Sequence, residues 1–224
     1  MRQTLKRCWL SSRSFPDLGT GNSAIRITRR KILGTVALAL LFRPAKAEEE
    51  TRCLDRILTR RRMIRKFRPD PVSEALVSRF IHAAMRAPSA GHTQPWSFVV
   101  VRDTLTRRRL ARAALGQMFV ADAPVVIVPC ADRRRSRARY GEREGDHYAV
   151  IDTAFSSLLL LLVVAEEGLG ACFVGAFDEE QVSRILDLPD LVRPLAVIPI
   201  GLAAERPRRL TLRRLDDVLH FEHW

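Results

Sequence analysis

The chain has 224 residues, 47% of them hydrophobic and 28% charged, with a formal net charge of +13 at pH 7. A charge of that size raises the question of a nucleic-acid partner, but it is unevenly placed: residues 1–47 hold ten Lys and Arg against one acid, Asp17, or +9 of the total. The remaining 28 basic and 24 acidic residues leave +4, an ordinary domain with little ground for nucleic-acid binding.

Taken in chain order, the first 47 residues differ from the rest. Paired arginines in Thr28-Arg-Arg-Lys-Ile-Leu-Gly34 precede an apolar run from Ile32 to Phe42, which Arg43-Pro44 ends. Ala45-Lys46-Ala47 then supplies small residues around a cleavage point. The pattern matches a twin-arginine export signal, so the mature chain is expected to be periplasmic or otherwise exported. The run is too short for a bilayer, which takes roughly 20 residues, so no stable membrane span is expected after leader removal. Two alternatives stay open: an uncleaved amphipathic start, or a misassigned start codon upstream of a cytoplasmic enzyme. Removal of the leader takes Cys8 with it. Cys53, Cys130 and Cys172 remain, too few and too widely spaced for a disulfide framework or a zinc site.

Residues 48–224 read as one domain without repeats. Leu54 to Arg62 has helical spacing. After Pro69 and Pro71, Ser73 caps a helix from Glu74 to Ala87 with an apolar stripe of Leu76, Val77, Phe80, Ile81 and Ala84. The segment Ala87-Pro-Ser-Ala-Gly-His-Thr-Gln-Pro-Trp96 cannot continue that helix. It reads either as a shaped binding loop or as a plain connection to a strand at Phe98 to Val101. A short helix from Thr104 to Leu115 and a buried strand from Val125 to Cys130 follow. The basic run Arg133-Arg-Arg-Ser-Arg-Ala-Arg139 lacks interleaved aromatics and reads as a solvated loop.

Asp146 to Glu167 is the longest predicted helix. Its run from Leu158 to Ala165 is apolar on every side and needs cover all round, as a core or dimer-interface helix rather than a membrane span. Asp178 caps a helix from Glu179 to Leu188, and Leu195 to Ile200 is a last strand ending at Gly201. Helices alternate irregularly with a few strands, which favours an α+β fold over a regular βαβ repeat.

Four segments occur in a telling order: Arg61-Arg-Met-Ile-Arg65 with Lys66-Phe67, the 87–96 loop, Gly168-Leu-Gly-Ala-Cys-Phe-Val-Gly-Ala-Phe177, and the closing Arg213-Arg-Leu-Asp-Asp-Val-Leu-His-Phe-Glu-His-Trp224. From about Leu54 to Trp224 the chain resembles the nitroreductase family of flavin enzymes. The resemblance implies a nitroreductase-like α+β fold, a central, mostly antiparallel sheet flanked by helices and completed by homodimerisation. It implies flavin mononucleotide (FMN) at two sites between subunits. It also implies two-electron transfer from NADH or NADPH to a small oxidised acceptor such as a quinone or nitroaromatic.

By the same resemblance, Arg61 would contact the phosphate, Arg62 and Met63 would lie beside it, and Arg65 would approach the ring. Pro88, Ser89 and Ala90 would come from the partner subunit, with His92 beyond them. Val174 and Gly175 would lay backbone on one ring face, and Arg213 would return to the phosphate, with Arg214 as the other choice of register. Arginine suits a phosphate because its planar fork donates two parallel hydrogen bonds. Two residues depart from the family pattern: His92 stands where asparagine is usual, and Met63 where serine is usual. Gly168-Leu-Gly170 follows a helix and leads into a strand, the reverse of a dinucleotide fingerprint. No acid–base pair, nucleophile or metal cluster stands out, so no catalytic side chain is expected, the chemistry being the cofactor's. An exported flavin-binding sensor or carrier without nicotinamide turnover is the alternative.

Overall fold

The computed structural model describes residues 53–208 and 211–224, so the expected leader lies outside the described residues. In chain order the helices are α1 (Cys53–Arg60), α2 (Glu74–Ala84), α3 (Thr104–Ala113), α4 (Phe119–Asp122), α5 (Arg133–Glu166) and α6 (Glu179–Ile185). The strands are β1 (Trp96–Val101), β2 (Val125–Asp132), β3 (Gly170–Ala171), β4 (Val192–Pro194) and β5 (Ile198–Gly201).

All eight residues of β2 are buried because it has neighbours on both edges and helices on both faces. On one edge it pairs with β1, Val99 opposite Val128. On the other it pairs with β5 at Val126 and Pro199 and, further along, with β4 at Cys130 and Pro194. β3 continues the sheet beyond β5, and every ladder is antiparallel. Side chains alternate between the faces of a strand. Val125 and Ile127 therefore enter a core with Val77, Phe80 and Ala84 of α2 and Leu160, Leu161 and Val164 of α5. Val126, Val128 and Cys130 enter a second core with Leu110 and Ala113 of α3, Val120 of α4 and Val182 of α6. The expected α+β architecture is present, as three layers.

The capping residues act as their chemistry requires. The Ser73 hydroxyl accepts the Leu76 N–H at 3.3 Å and the Asp178 carboxylate accepts the Gln181 N–H at 2.9 Å. Both helices stop about three residues short of their predicted ends, at Ala84 and Ile185. The last strand begins at Ile198 rather than Leu195, and the short β4 before it has too little apolar pattern to be foreseen.

The largest correction concerns Arg133 to Arg139, which is helix rather than solvated loop. α5 starts at Arg133 and breaks at Gly141, whose φ is 76°. The chain folds back there, so that a Cβ on Gly145 would lie 2.7 Å from the backbone N and Cα of Arg137. Asp146 receives Arg137 through two hydrogen bonds, of 2.6 and 2.7 Å, and Arg133 at 3.3 Å. Arg134 is bound to Asp132. These arginines are consumed within the fold.

α5 is long and apolar enough to cross a membrane by length and composition. Its C-terminal half packs on α2 and the sheet, with the Ser156 hydroxyl bonded to the Ala84 carbonyl. The expected all-round cover is incomplete within one chain: Phe155 is 47% and Leu158 49% exposed.

Candidate functional site

The arginine segment after α1 is fixed by two distant parts of the chain. Ile64 donates its N–H to the Ala171 carbonyl at 2.9 Å, and its side chain occupies the space a Cβ on Gly170 would need. Arg68 bonds Leu202, Ala204 bonds Lys66, and the Glu205 carboxylate accepts the N–H groups of both Arg65 and Lys66. Residues 61–68 thus lie along the ends of β3 and β5.

Within that corner the three arginines differ. Arg62 is spent on the helix end, donating to the carbonyls of Thr59 and Arg61 at 2.8 and 2.7 Å. Among the described residues the Arg61 guanidinium has a long contact to the Met63 sulfur at 4.0 Å, and that of Arg65 lies 5.9 Å from the centre of the Phe119 ring. Neither guanidinium has a carboxylate partner among the described residues. Met63 lacks the hydroxyl of a serine, but its sulfur accepts the Phe173 N–H at 3.4 Å. It joins the arginine segment to the stretch after β3 that carries Val174 and Gly175.

Val174 exchanges two hydrogen bonds with Val197, at 3.1 and 2.9 Å, so its backbone is held. Gly175 beyond it is exposed, and a Cβ there would meet only the Phe173 ring edge at 3.6 Å. An open, rigid backbone beside two uncommitted guanidinium groups suits a flat ring bearing a phosphate, so the residues present fit FMN. Burial pushes the Cys172 thiol up despite nearby Arg65, and burial pushes Cys130 up to about 12, so both are packing residues.

The 87–96 loop forms a second cluster. Gly91, His92 and Gln94 have φ of 51°, 59° and 48°, a left-handed run costly for the two non-glycine residues. The run is pinned from α5: Arg139 donates to the Gly91 carbonyl at 3.1 Å, Arg135 to the Thr93 carbonyl at 2.7 Å, and the Thr93 and Ser136 hydroxyls meet at 3.3 Å. Ser89 accepts the Gln94 N–H, and Gln94 reaches the His92 ring at 2.6 Å. Pro88 is exposed at the head of the loop. Ala90 donates its N–H at 3.0 Å to Asp152, a carboxylate only 3% exposed. Burial holds the Asp152 carboxyl above its ordinary range, opposed by that N–H.

Asp152 was legible only as a polar break in an apolar helix, and Glu205 carried no signal at all. Both act on backbone N–H groups remote in sequence. Arg213 is not brought to the other arginines. It donates to the Asp217 carbonyl, and Arg214 faces Asp216 at 3.3 Å, in a segment exposed throughout from Thr211 to Trp224.

An antiparallel sheet between two helical layers, with an arginine-bearing corner and a separately pinned loop, defines the class as α+β. The sequence model of the nitroreductase family matches residues 58–124 and 115–202. A protein of Thermus thermophilus called NADH dehydrogenase is 37% identical, covering 70% of this chain and 91% of its own. An NADPH-dependent oxidoreductase of Staphylococcus aureus is 28% identical, over 70% of this chain and 68% of its own. The crystal structure of the NADPH:FMN oxidoreductase of Vibrio harveyi, complexed with NAD+, superposes with a TM-score of 0.71 at 25% identity, covering 77% of this chain and 78% of that one. The chain belongs to the nitroreductase family and is an FMN-dependent oxidoreductase.

Proposed function

We propose that this chain passes two electrons from a reduced nicotinamide to a small oxidised acceptor such as a quinone or nitroaromatic, with FMN held by Arg61, Arg65, Val174 and Gly175. The observation that carries this is the pair of uncommitted guanidinium groups beside a held backbone that ends in an exposed glycine. When bound, FMN supplies the redox chemistry. Arg61 binds the phosphate by charge-assisted hydrogen bonds. The Arg65 cation stabilises negative charge on the reduced ring. Met63 holds the segment after β3 beside the arginines. Arg62, committed to the end of α1, serves as a brace.

Pro88, Ser89, Ala90 and His92 approach the same cofactor from a second copy of the chain, and Arg213 follows when its segment docks. A homodimer also covers Phe155 and Leu158, which are half exposed in one chain. Residues 48–224 make up the mature enzyme, exported folded around its cofactor by the leader's paired arginines. Substitution of Arg29 and Arg30 by lysine in a reporter fusion tests this, and unchanged export removes the proposal.

The enzymatic reading is tested with the purified chain from Thr51 onward. It should be yellow, lose its colour anaerobically with NADH or NADPH, and regain it with a quinone or nitroarene. A yellow protein inert to both nicotinamides is instead a flavin-binding carrier or an enzyme with another electron donor. Arg61→Ala should weaken FMN binding by about 1–3 kcal/mol, as for loss of a charge-assisted hydrogen bond. Arg62→Ala should leave affinity nearly unchanged, and equal losses from the two would refute the division of roles.

A further inference from the structure

A second cationic site lies outside the corner just described. Arg109 and Arg112 of α3 and Gln181, Arg184 and Ile185 of α6 line a cleft of about 320 Å³. We propose that this cleft binds a small ligand carrying phosphate groups. Two carboxylates at the start of α6 are already engaged. Asp178 accepts both the backbone N–H and the side-chain amide of Gln181, and Glu179 is paired with Arg193 at 2.9 Å. Glu180 reaches Arg184 at 3.3 Å across an exposed surface. Exposed bridges of that kind bind their charges weakly.

Arg109 and Arg112 make no hydrogen bond or ion pair among the described residues. They stand three apart on one helix, with Arg108 four before Arg112, a spacing at which like charges repel and oppose the helix. Three guanidinium groups against one carboxylate leave the cleft positive, and their planar forks match phosphate oxygens. The volume suits a diphosphate or a nucleotide headgroup, and Ile185 gives one apolar wall. The walls are locked together behind the cleft: Asp178 donates its N–H to the Ala113 carbonyl at 2.8 Å, and Gln117 bonds the Ala176 carbonyl at 3.1 Å. A bound anion therefore clamps two elements whose placement is already set.

The test uses the FMN-loaded full chain, so that the flavin phosphate site is filled. Inorganic pyrophosphate and ADP are titrated by calorimetry at low ionic strength, with melting temperature as a second readout. Saturable binding is expected that weakens as salt rises and falls at least tenfold in Arg109→Ala/Arg112→Ala, with FMN content unchanged. Equal affinity for the two probes makes the ligand a free oligophosphate, and tighter ADP binding makes it a nucleotide. Both arginines are exposed, and Arg112→Gln, which removes the charge but keeps a polar, helix-compatible side chain, guards against misfolding and should lose affinity too. Absence of binding by both probes, or binding unchanged in the variants, overturns the proposal.

Discussion

The loop from Pro88 to Gln94 and the closing segment from Thr211 to Trp224 are both expected at the same cofactor, yet they are built in opposite ways. The loop's unfavourable backbone angles are locked by α5 through Asp152, Arg135, Ser136 and Arg139. The closing segment keeps Arg213 and Arg214 bonded within itself and leaves Phe221 and Trp224 in solvent. A residue held by hydrogen bonds to a packed helix is positioned by folding. One on an exposed segment is positioned by whatever that segment docks on. Sites in the loop should therefore depend on the chain's own stability, and Arg213 on assembly.

The strongest way to break this contrast is Gly145→Ala. The added methyl meets the Arg137 backbone, which cannot yield as a side chain would, and about 3 kcal/mol of stability should be lost, read by urea denaturation. FMN should be released in parallel if the folded-back start of α5 holds the loop. A loss under ~1 kcal/mol would mean the fold-back is slack.

Asp152→Ala comes next. Leaving the Ala90 N–H without its acceptor should cost about 1–3 kcal/mol. Asp152→Asn keeps an oxygen acceptor and should restore most of the FMN affinity, measured by fluorescence quenching. Equal damage from both variants would mean that the charge, not the hydrogen bond, matters. Arg213→Ala should change stability by less than ~0.5 kcal/mol, as for an ordinary exposed position. It should weaken FMN binding only under conditions where the protein is dimeric by light scattering.

The smallest effect is a pH dependence with two opposed parts. Hydrogen bonding and charge from Arg137, with Arg133, hold Asp146 below its ordinary range. Its contribution is therefore present above that range and lost as pH falls through the folded-state value. Asp152 is raised by burial, so its contribution is complete below the ordinary carboxylate value and lost as pH rises through the folded-state value. Melting temperature against pH should show a shallower acid-side fall in Asp146→Asn, with Asp103, Asp132 and Asp178 supplying the rest, and a smaller loss on the rising side in Asp152→Asn. Parallel curves for both variants would contradict these assignments.

Local pattern carried most of the scaffold. The α2 stripe, the Ser73 and Asp178 caps and the buried β2 all depend on neighbours within a few residues, which a sequence displays. The start of α5 was hidden because its arginines look solvated until the turn at Gly141 brings back Asp146 and the distant 87–96 loop packs Thr93 and Gly91 beside them. Arg62 could not be told from Arg61 by spacing, since capping α1 and binding a phosphate call for the same side chain. Glu205 works through the backbone of Arg65 and Lys66, about 140 residues earlier, and no short-range pattern encodes such a link.

β2 is shared by both apolar clusters, alternate residues serving one and then the other. Neither layer is a spare: melting either side strips half the cover from the same strand and exposes the other. Heating should therefore give one calorimetric peak, with no partly melted species retaining half of the sandwich.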